Sequence, residues 1–292
     1  MKTTHTPYTS SDYDDIQQFL IGLFESTGKF SNWLPSRFEN ITMDETTDIE
    51  IWRSEKKIIG MTTKEGEQHF FIHLNENYMD LMEDMLQYIE WRAKELGISQ
   101  VIIHCLEGET IREQVLSKSG YINQGIYGII RVRDLEFSNA DSKQLPDGYK
   151  IIELTDRWVN KYAKAIKIVF GHTFFTADVV QDIRSASFYR QDLDLLIVDP
   201  EDKIASFITY RVDPLTNYVE LEPLGTLPDY RGLGLAEILI KEGYRRLQKY
   251  NPKLVYIGGA ANTPAANRVY DKTGFLGKWN ENEWAKNLST DE

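Results

Sequence analysis

The sequence predicts an α/β protein with a mixed sheet, built from two copies of one strand-and-helix unit. Strands alternate with helices along the 292 residues, and a pattern of apolar and glycine positions recurs, with Gly274 following Gly120 by 154 residues. A breaker-rich stretch near the middle lacks hydrophobic periodicity, which indicates a linker. We therefore predict a first domain at 1–137, a linker at 138–148 and a second domain at 149–292.

In the first half, apolar residues at helical spacing predict three helices, and alternating or continuous apolar runs predict five strands. The helices are expected at 12–26, 80–96 and 110–119. The strands are expected at 49–53, 57–63, 68–74, 100–105 and 121–132.

The second half repeats this order with additional elements at its start. Strands are expected at 149–154, 193–198, 204–211, 218–224 and 254–258, with a last strand from Phe275. Helices are expected at 158–170, 177–188, 235–250 and 265–273. The 154-residue offset places helix 235–250 on 81–96 without a gap, which supports a true internal repeat.

Composition and charge exclude some classes of binding partner and indicate a cellular compartment. A net charge of −12 and a pI near 5.0 argue against a nucleic-acid or anionic-membrane surface, because both require clustered Lys and Arg. Cys105 is the only cysteine, so no intrachain disulfide is expected, which fits a reducing compartment. The start of the sequence lacks an apolar run before a small-residue cleavage site, and a cytoplasmic protein is expected.

The most informative segment is 228–236, which leads into an amphipathic helix. Gly232 and Gly234 allow a tight turn, and the amides that begin the next helix can converge on a diphosphate. Glu220 and Glu222 precede it on a strand and project to the same face. The segment therefore predicts a phosphate-binding loop with carboxylates close to it.

Two motifs carry a family resemblance. The first is Arg231-x-x-Gly234-x-Ala236, and the second runs from Asn262 through Ala265 and Tyr270 to Gly274-Phe275. In this order they resemble the signatures of the GCN5-related N-acetyltransferase (GNAT) family over residues 149–285. The arrangement is similar to tandem two-domain members such as mycothiol synthase. The resemblance implies two tandem GNAT-like acyl-CoA N-acyltransferase domains.

The resemblance also implies acetyl-CoA as co-substrate and a set of residues that bind it. Strand 218–226 would pair with the pantetheine arm, and an amide near Leu224 or Gly225 would stabilise the oxyanion. The implied coenzyme-binding residues are Leu224, Gly225, Thr226, Arg231, Gly232, Leu233, Gly234, Leu235, Ala236, Asn262 and Ala265.

Catalysis is expected to need a base and an acid. Two carboxylates on one face raise each other's pKa and attract a cationic amine, so Glu222 is the expected general base, directly or through water, with Glu220 as the alternative. By resemblance, Tyr270 would protonate the departing thiolate. The family's reaction is a direct attack of the amine within a ternary complex.

The first half resembles a degenerate copy. The 154 offset places Asn77, Asp80 and Met82 where the second half has Arg231, Gly234 and Ala236. A diphosphate would be repelled by acidic side chains at this position, so no acetyl-CoA is expected there. The same offset places Gln68 on Glu222 and Gly108 on Asn262.

The expected function is transfer of an acetyl group from acetyl-CoA to the amine of a small molecule. Two alternatives remain open: a non-catalytic acyl-CoA-binding or regulatory protein, and a peptide or protein N-acetyltransferase. No nucleic-acid or membrane partner is expected, and the protein would be a monomer or a homodimer. No metal is expected, because His69 and His73 on one strand are about 13 Å apart, too far for a shared ion.

Overall fold

The computed structural model describes residues 3–29, 48–133, 135–136, 143–171 and 174–288. Residues 138–142 of the expected linker lie outside this described part. The chain divides into two compact units, one formed by Met1–Ile130 with Trp279–Glu292 and the other by Arg131–Lys278. These units differ from the predicted domains because 131–137 joins the second unit and 279–292 returns to the first. We propose domain boundaries that follow the units.

The described residues form twelve strands and seven α-helices. The strands are β1 (Thr3–Pro7), β2 (Glu50–Ser54), β3 (Lys57–Glu65), β4 (His69–Leu74), β5 (Gln100–Leu106), β6 (Ile122–Arg133), β7 (Lys150–Glu153), β8 (Asp194–Val198), β9 (Ile204–Val212), β10 (Tyr218–Thr226), β11 (Leu254–Ala261) and β12 (Gly277–Asn287). The helices are α1 (Tyr13–Thr27), α2 (Met82–Glu95), α3 (Thr110–Lys118), α4 (Asp156–Phe170), α5 (Ala177–Ser185), α6 (Leu235–Leu247) and α7 (Pro264–Lys272). The predicted mixed α/β fold is confirmed.

In the first unit, strands follow the order β1-β2-β3-β4-β5-β12. All neighbours are antiparallel except β4 and β5, which are parallel and pair only at His69↔Ile102 and Phe70↔Ile103. Helix α1 packs through Ile16 and Leu20 in one apolar cluster, and α2 packs in another. Because both faces of the sheet are covered, its central strands are apolar on both sides.

The second unit contains the order β11-β10-β9-β8-β7. Helices α4 and α5 contribute to one apolar cluster, and α6 with Tyr270 of α7 contributes to another. Strands β10 and β11 are parallel and pair only from Tyr218↔Leu254 to Glu220↔Tyr256. Strand β10 then carries a β-bulge between Leu221 and Leu224. The strands therefore separate at their carboxyl ends.

Within the described ranges, none of the helices combines the length and apolar character needed to cross a bilayer.

Candidate active site

The glycine loop joins β10 to α6 through two left-handed residues. Gly232 has φ 84° and Gly234 has φ 80°, a region that L side chains rarely adopt. A side chain at Gly232 would meet no atom within 4 Å, so its surroundings are open. Gly234 is the N-cap of α6 and makes no side-chain cap bond, so amides of the first helical turn are available to an anion.

Lys143 is a cation at this loop that no sequence pattern identified. A Cβ built on Gly234 would lie 2.7 Å from the Nζ atom of Lys143. The left-handed backbone favours glycine at this position, whereas the flexible end of the lysine side chain can move aside. The ammonium adds positive charge beside the helix N-terminus.

The other predicted coenzyme-binding residues of this segment lie on β10, in the loop and in the first turn of α6. Arg231 is exposed and donates from Nε to the Thr226 carbonyl at 3.4 Å, while Leu233 is exposed, Ala236 half-buried and Leu235 buried. The carbonyl of Gly225 accepts from Ser206 Oγ at 2.7 Å. A Cβ on Gly225 would lie 2.2 Å from the Phe207 ring, so this strand position requires glycine.

The two candidate bases on β10 differ in exposure. Glu220 and Glu222 both approach Nη1 of Arg211, at 3.5 and 4.0 Å, so they lie on one face as the strand period predicts. The Glu220 side chain is 1% exposed, whereas that of Glu222 is 42% exposed. Only Glu222 of this pair can reach a substrate without displacing buried structure.

Glu222 lies in a cleft formed by α4, α5 and strands β8 to β10. Its walls include Tyr162 of α4, Arg184 of α5, Asp194 of β8 and Arg211 of β9. Both helices that border this cleft were predicted, but no sequence signal identified Asp194 or Arg211 as part of it. The apolar side chains of Phe175, Val180 and Ile183 line the cleft together with these polar groups.

Asp194 is a buried carboxyl with an unusual protonation equilibrium. It accepts a hydrogen bond from Thr209 Oγ1 at 2.9 Å, and Thr209 in turn contacts the Tyr162 hydroxyl at 3.4 Å. Burial raises the pKa of Asp194 from 3.8 to about 7, because the charged form is poorly solvated. This group is therefore a buried carboxyl of the cleft wall with a pKa near neutral.

The variant Asp194→Asn tests this shift through protein stability. Between pH 4 and 7 the folded protein holds a proton on Asp194 that the unfolded chain has lost, so this group's contribution to stability falls as pH rises. The free energy of unfolding of the variant, relative to wild type, should rise from pH 4 to 7 and then level off. Urea denaturation at pH 4.5, 6 and 8 measures it. A difference that does not change with pH would contradict the raised pKa.

Tyr270 lies on α7 with 9% of its surface exposed. Burial and the Glu222 carboxylate raise its pKa to about 12, while Arg131 opposes this shift. The hydroxyl is therefore protonated at neutral pH, as a proton donor must be. The Glu222 carboxylate therefore acts electrostatically on the Tyr270 hydroxyl.

Arg131 holds α7 in place and was not selected by sequence reasoning. Its buried guanidinium donates to Asp271 Oδ1 and to Asn267 Oδ1, both at 2.7 Å, and to the Phe275 carbonyl at 3.0 Å. It also lies 5.4 Å from the centre of the Tyr270 ring. The only signal in the sequence was a charged residue directly after the apolar pair Ile129 and Ile130.

Replacing Arg131 with methionine removes three hydrogen bonds, one of them to the buried Phe275 carbonyl. We expect Arg131→Met to lower the free energy of unfolding by about 2–4 kcal/mol in urea denaturation. Arg157→Met is the control, since Arg157 forms an exposed ion pair with Asp202 and should change stability by about 0.5 kcal/mol or less. Equal losses of unfolding free energy in the two variants would show that Arg131 has no structural role.

Asn262 and Ala265 lie at the start of α7 and are both exposed. The cap of this helix is Thr263, whose Oγ1 accepts from the Ala266 amide at 3.2 Å, so Asn262 is not the N-cap. Asn262 Oδ1 instead accepts from Asn267 Nδ2 at 3.1 Å. Asn262 directly follows β11, which ends at Ala261.

The corresponding region of the first unit is built differently. Residues Glu76–Leu81 form a 3-10 helix capped by Asn75, in place of the left-handed glycine loop. Arg112 of α3 donates to the carbonyls of Ile72 and Leu74 at 3.0 and 3.2 Å. Those carbonyls end β4, where it has separated from β5, so the backbone that an acyl-CoA arm would pair with is already bonded.

The strand correspondence between the halves also differs from the ungapped offset. Tyr256 follows Ile102 by 154 residues, but their partners Glu220 and His69 are separated by 151. The predicted match of Glu222 with Gln68 is therefore wrong in register, and Glu222 corresponds to Phe71. The three-residue difference lies between the strand and the following helix.

Comparison with known proteins agrees with this geometry. Residues 159–275 match the model of the acetyltransferase (GNAT) family. The fold is similar to a tandem GNAT protein from the clavulanic acid biosynthesis pathway, at TM-score 0.75 and 11% identity over 100% of both chains. It is also similar to a GCN5-related N-acetyltransferase from Sphaerobacter thermophilus, at TM-score 0.70 and 13% identity over 99% of this chain and 98% of the other.

A more distant likeness is to N-myristoyltransferase from Saccharomyces cerevisiae with bound myristoyl-CoA. Its TM-score is 0.62 at 11% identity, over 97% of this chain and 79% of the other. No curated protein matches the chain in sequence. At these identities the solved structures establish the tandem fold, and the chemistry must be argued from the site.

Proposed function

Residues 159–275 form a domain of the acetyltransferase (GNAT) family, and from this premise we propose that the protein transfers an acetyl group from acetyl-CoA to a small-molecule amine. The observation that carries the proposal is the position of Glu222. It lines the cleft under α4 and α5 and also acts electrostatically on the Tyr270 hydroxyl. An acceptor amine in the cleft would thus meet Glu222 as its base.

The glycine loop and the separation of β10 from β11 support coenzyme binding. Amides from Arg231 to Ala236 would hold the diphosphate, with Lys143 adding charge, and the helix dipole of α6 would contribute about 0.3–1 kcal/mol. From Leu224 to Thr226, β10 pairs with β9, whereas its pairing with β11 ends at Glu220, so the edge that faces β11 would bind the pantetheine arm. An amide near Leu224 or Gly225 would stabilise the tetrahedral oxyanion.

Proton transfers are assigned to two side chains. Glu222 accepts a proton from the amine, directly or through one water, and Arg211 orients its carboxylate from 4.0 Å. Tyr270 donates its proton to the departing thiolate. Glu220 is buried and contacts Arg211. We therefore assign Glu220 a structural role and not the role of the base.

The first unit is proposed to bind no acyl-CoA at the corresponding place. Its 3-10 helix uses the backbone that would otherwise face a diphosphate, and Arg112 occupies the carbonyls at the end of β4. The acidic residues Glu76 and Asp80 would further oppose an anion.

Thiol release from acetyl-CoA across a panel of small amines tests the proposal. The expected result is amine-dependent release, faster with acetyl-CoA than with long-chain acyl-CoA. Calorimetric binding of acetyl-CoA without turnover on any amine would favour a non-catalytic binding protein. Turnover confined to peptide amines would favour a peptide or protein acetyltransferase.

A further inference from the structure

Three strands of the first unit bring two imidazoles and a carboxylate to one point. Nδ1 of His69 on β4 lies 2.9 Å from Nε2 of His104 on β5 and 3.6 Å from a carboxylate oxygen of Glu283 on β12. One donor atom from each residue lies within 4.8 Å of the other two. The arrangement is independent of the residues assigned to acyl transfer.

Strand register explains the convergence. Glu283 is the direct antiparallel partner of His104, and His69 pairs with Ile102, two residues from His104 along β5. Because side chains repeat every second residue, Ile102 and His104 point to the same face, and the three donors share it. His73 lies elsewhere, with its Nε2 3.3 Å from Thr63 Oγ1. From the sequence, His69 was compared only with His73, which is not its partner in this cluster.

The donor set and its spacing suit a divalent transition metal. Two histidine nitrogens and one carboxylate form a ligand set of zinc sites, with bonds of about 2.0–2.2 Å and an open fourth position. Tetrahedral bonds of that length separate donors by about 3.3 Å. The two measured separations, 2.9 and 3.6 Å, bracket this value.

His104 also has the outer support that metal-binding histidines use. Its side chain is 2% exposed, and its Nδ1 makes no hydrogen bond among the described residues but faces Glu281 Oε2 at 3.6 Å. The Phe71 ring stacks on the imidazole at 4.6 Å and 12°. A carboxylate behind the second ring nitrogen and a stacked ring both fix the direction of the coordinating nitrogen.

The cluster is open to solvent on one side. The side chains of His69 and Glu283 are 31% and 22% exposed. The Tyr127 ring, centred 4.9 Å from His104 and 5.8 Å from His69, borders the opening. An ion can therefore enter, and water can complete its coordination.

We propose that His69, His104 and Glu283 bind one Zn²⁺ ion, with water as the fourth ligand and Glu281 orienting His104. The ion joins β4, β5 and β12, so it fastens the last strand of the chain to the first unit. This departs from the expectation of no metal, which rested on the spacing of His69 and His73 alone.

The test uses the full chain after treatment with a chelator, titrated with Zn²⁺ against a chromophoric competitor and with Co²⁺ by visible spectroscopy. We expect one tight Zn²⁺ per chain and an intense four-coordinate Co²⁺ spectrum. His69→Ala and Glu283→Gln should each weaken Zn²⁺ binding by at least about 100-fold, and Glu281→Gln by about 10-fold. Zn²⁺ should also raise the Tm of the wild type and not that of His69→Ala.

His5→Gln is the control, because His5 pairs with Glu50 away from this cluster and should retain full affinity. Circular dichroism and Tm of the metal-free variants establish that each is folded. Absence of tight Zn²⁺ binding in the wild type, or equal affinity in the wild type and in His69→Ala, would overturn the proposal. A spectrum of six-coordinate Co²⁺ would overturn the assigned ligand geometry.

Discussion

Glu222→Gln is expected to lower kcat by about 10²–10⁴-fold, the usual contribution of a general base. The substitution preserves the size of the side chain and its contact with Arg211 but cannot accept a proton. Acetyl-CoA affinity should stay within about threefold of wild type, because the side chain faces the acceptor cleft. Steady-state kinetics with a saturating amine, together with calorimetry, measures both quantities.

Glu153→Gln is the matched control for that variant. Glu153 is also a half-exposed strand carboxylate of the second unit, but it bonds Arg246 on α6, outside the cleft. Its kcat should equal that of wild type. A Glu222→Gln enzyme with full activity at all pH values would exclude Glu222 as the base.

Tyr270→Phe is expected to lower kcat by about 10²–10³-fold while acetyl-CoA binding is retained. The ring keeps its packing against Phe275, at 5.9 Å between centres, so the loss isolates the hydroxyl. Since the pKa of about 12 keeps the hydroxyl protonated, the wild-type rate should show no loss from tyrosine ionisation up to pH 9. Pre-steady-state measurement of thiol release places the defect in the chemical step.

Tyr250→Phe serves as the control because its hydroxyl donates to Asp192 at 2.7 Å, away from Glu222. It should keep wild-type turnover. An unchanged kcat in Tyr270→Phe would show that the thiolate leaves without this acid.

Much of the fold was predictable because its signals are local. Helical spacing predicted α2, α4 and α6 to within a few residues, and the continuous apolar runs predicted β8 and β9. Strand β1, with the sequence Thr-Thr-His-Thr-Pro, was missed because it has no apolar pattern and is exposed on most of its length. Helix α5 was predicted to reach 188 but ends at Ser185, since Ala186 adopts an extended backbone.

The site was predictable where a motif carried it and not where contacts depend on long-range pairing. The glycine loop was predicted from its own residues, and Tyr270 was predicted from the family resemblance of its motif. Arg131 and Lys143 approach α7 and Gly234 only after the chain folds, and Asp194 enters the cleft from a strand far away in sequence. His104 and Glu283 were also missed, because they become neighbours only through the pairing of β5 with β12.

We propose that the chain holds one coenzyme site, at the glycine loop of the second unit. Gly232→Asp places a carboxylate at the loop, and Gly108→Asp is its match in the first unit, since both glycines have φ 84° and open surroundings. Calorimetric titration with acetyl-CoA should give one site per chain in the wild type and in Gly108→Asp, and no measurable binding in Gly232→Asp. Two sites per chain, or binding that survives Gly232→Asp, would contradict the account.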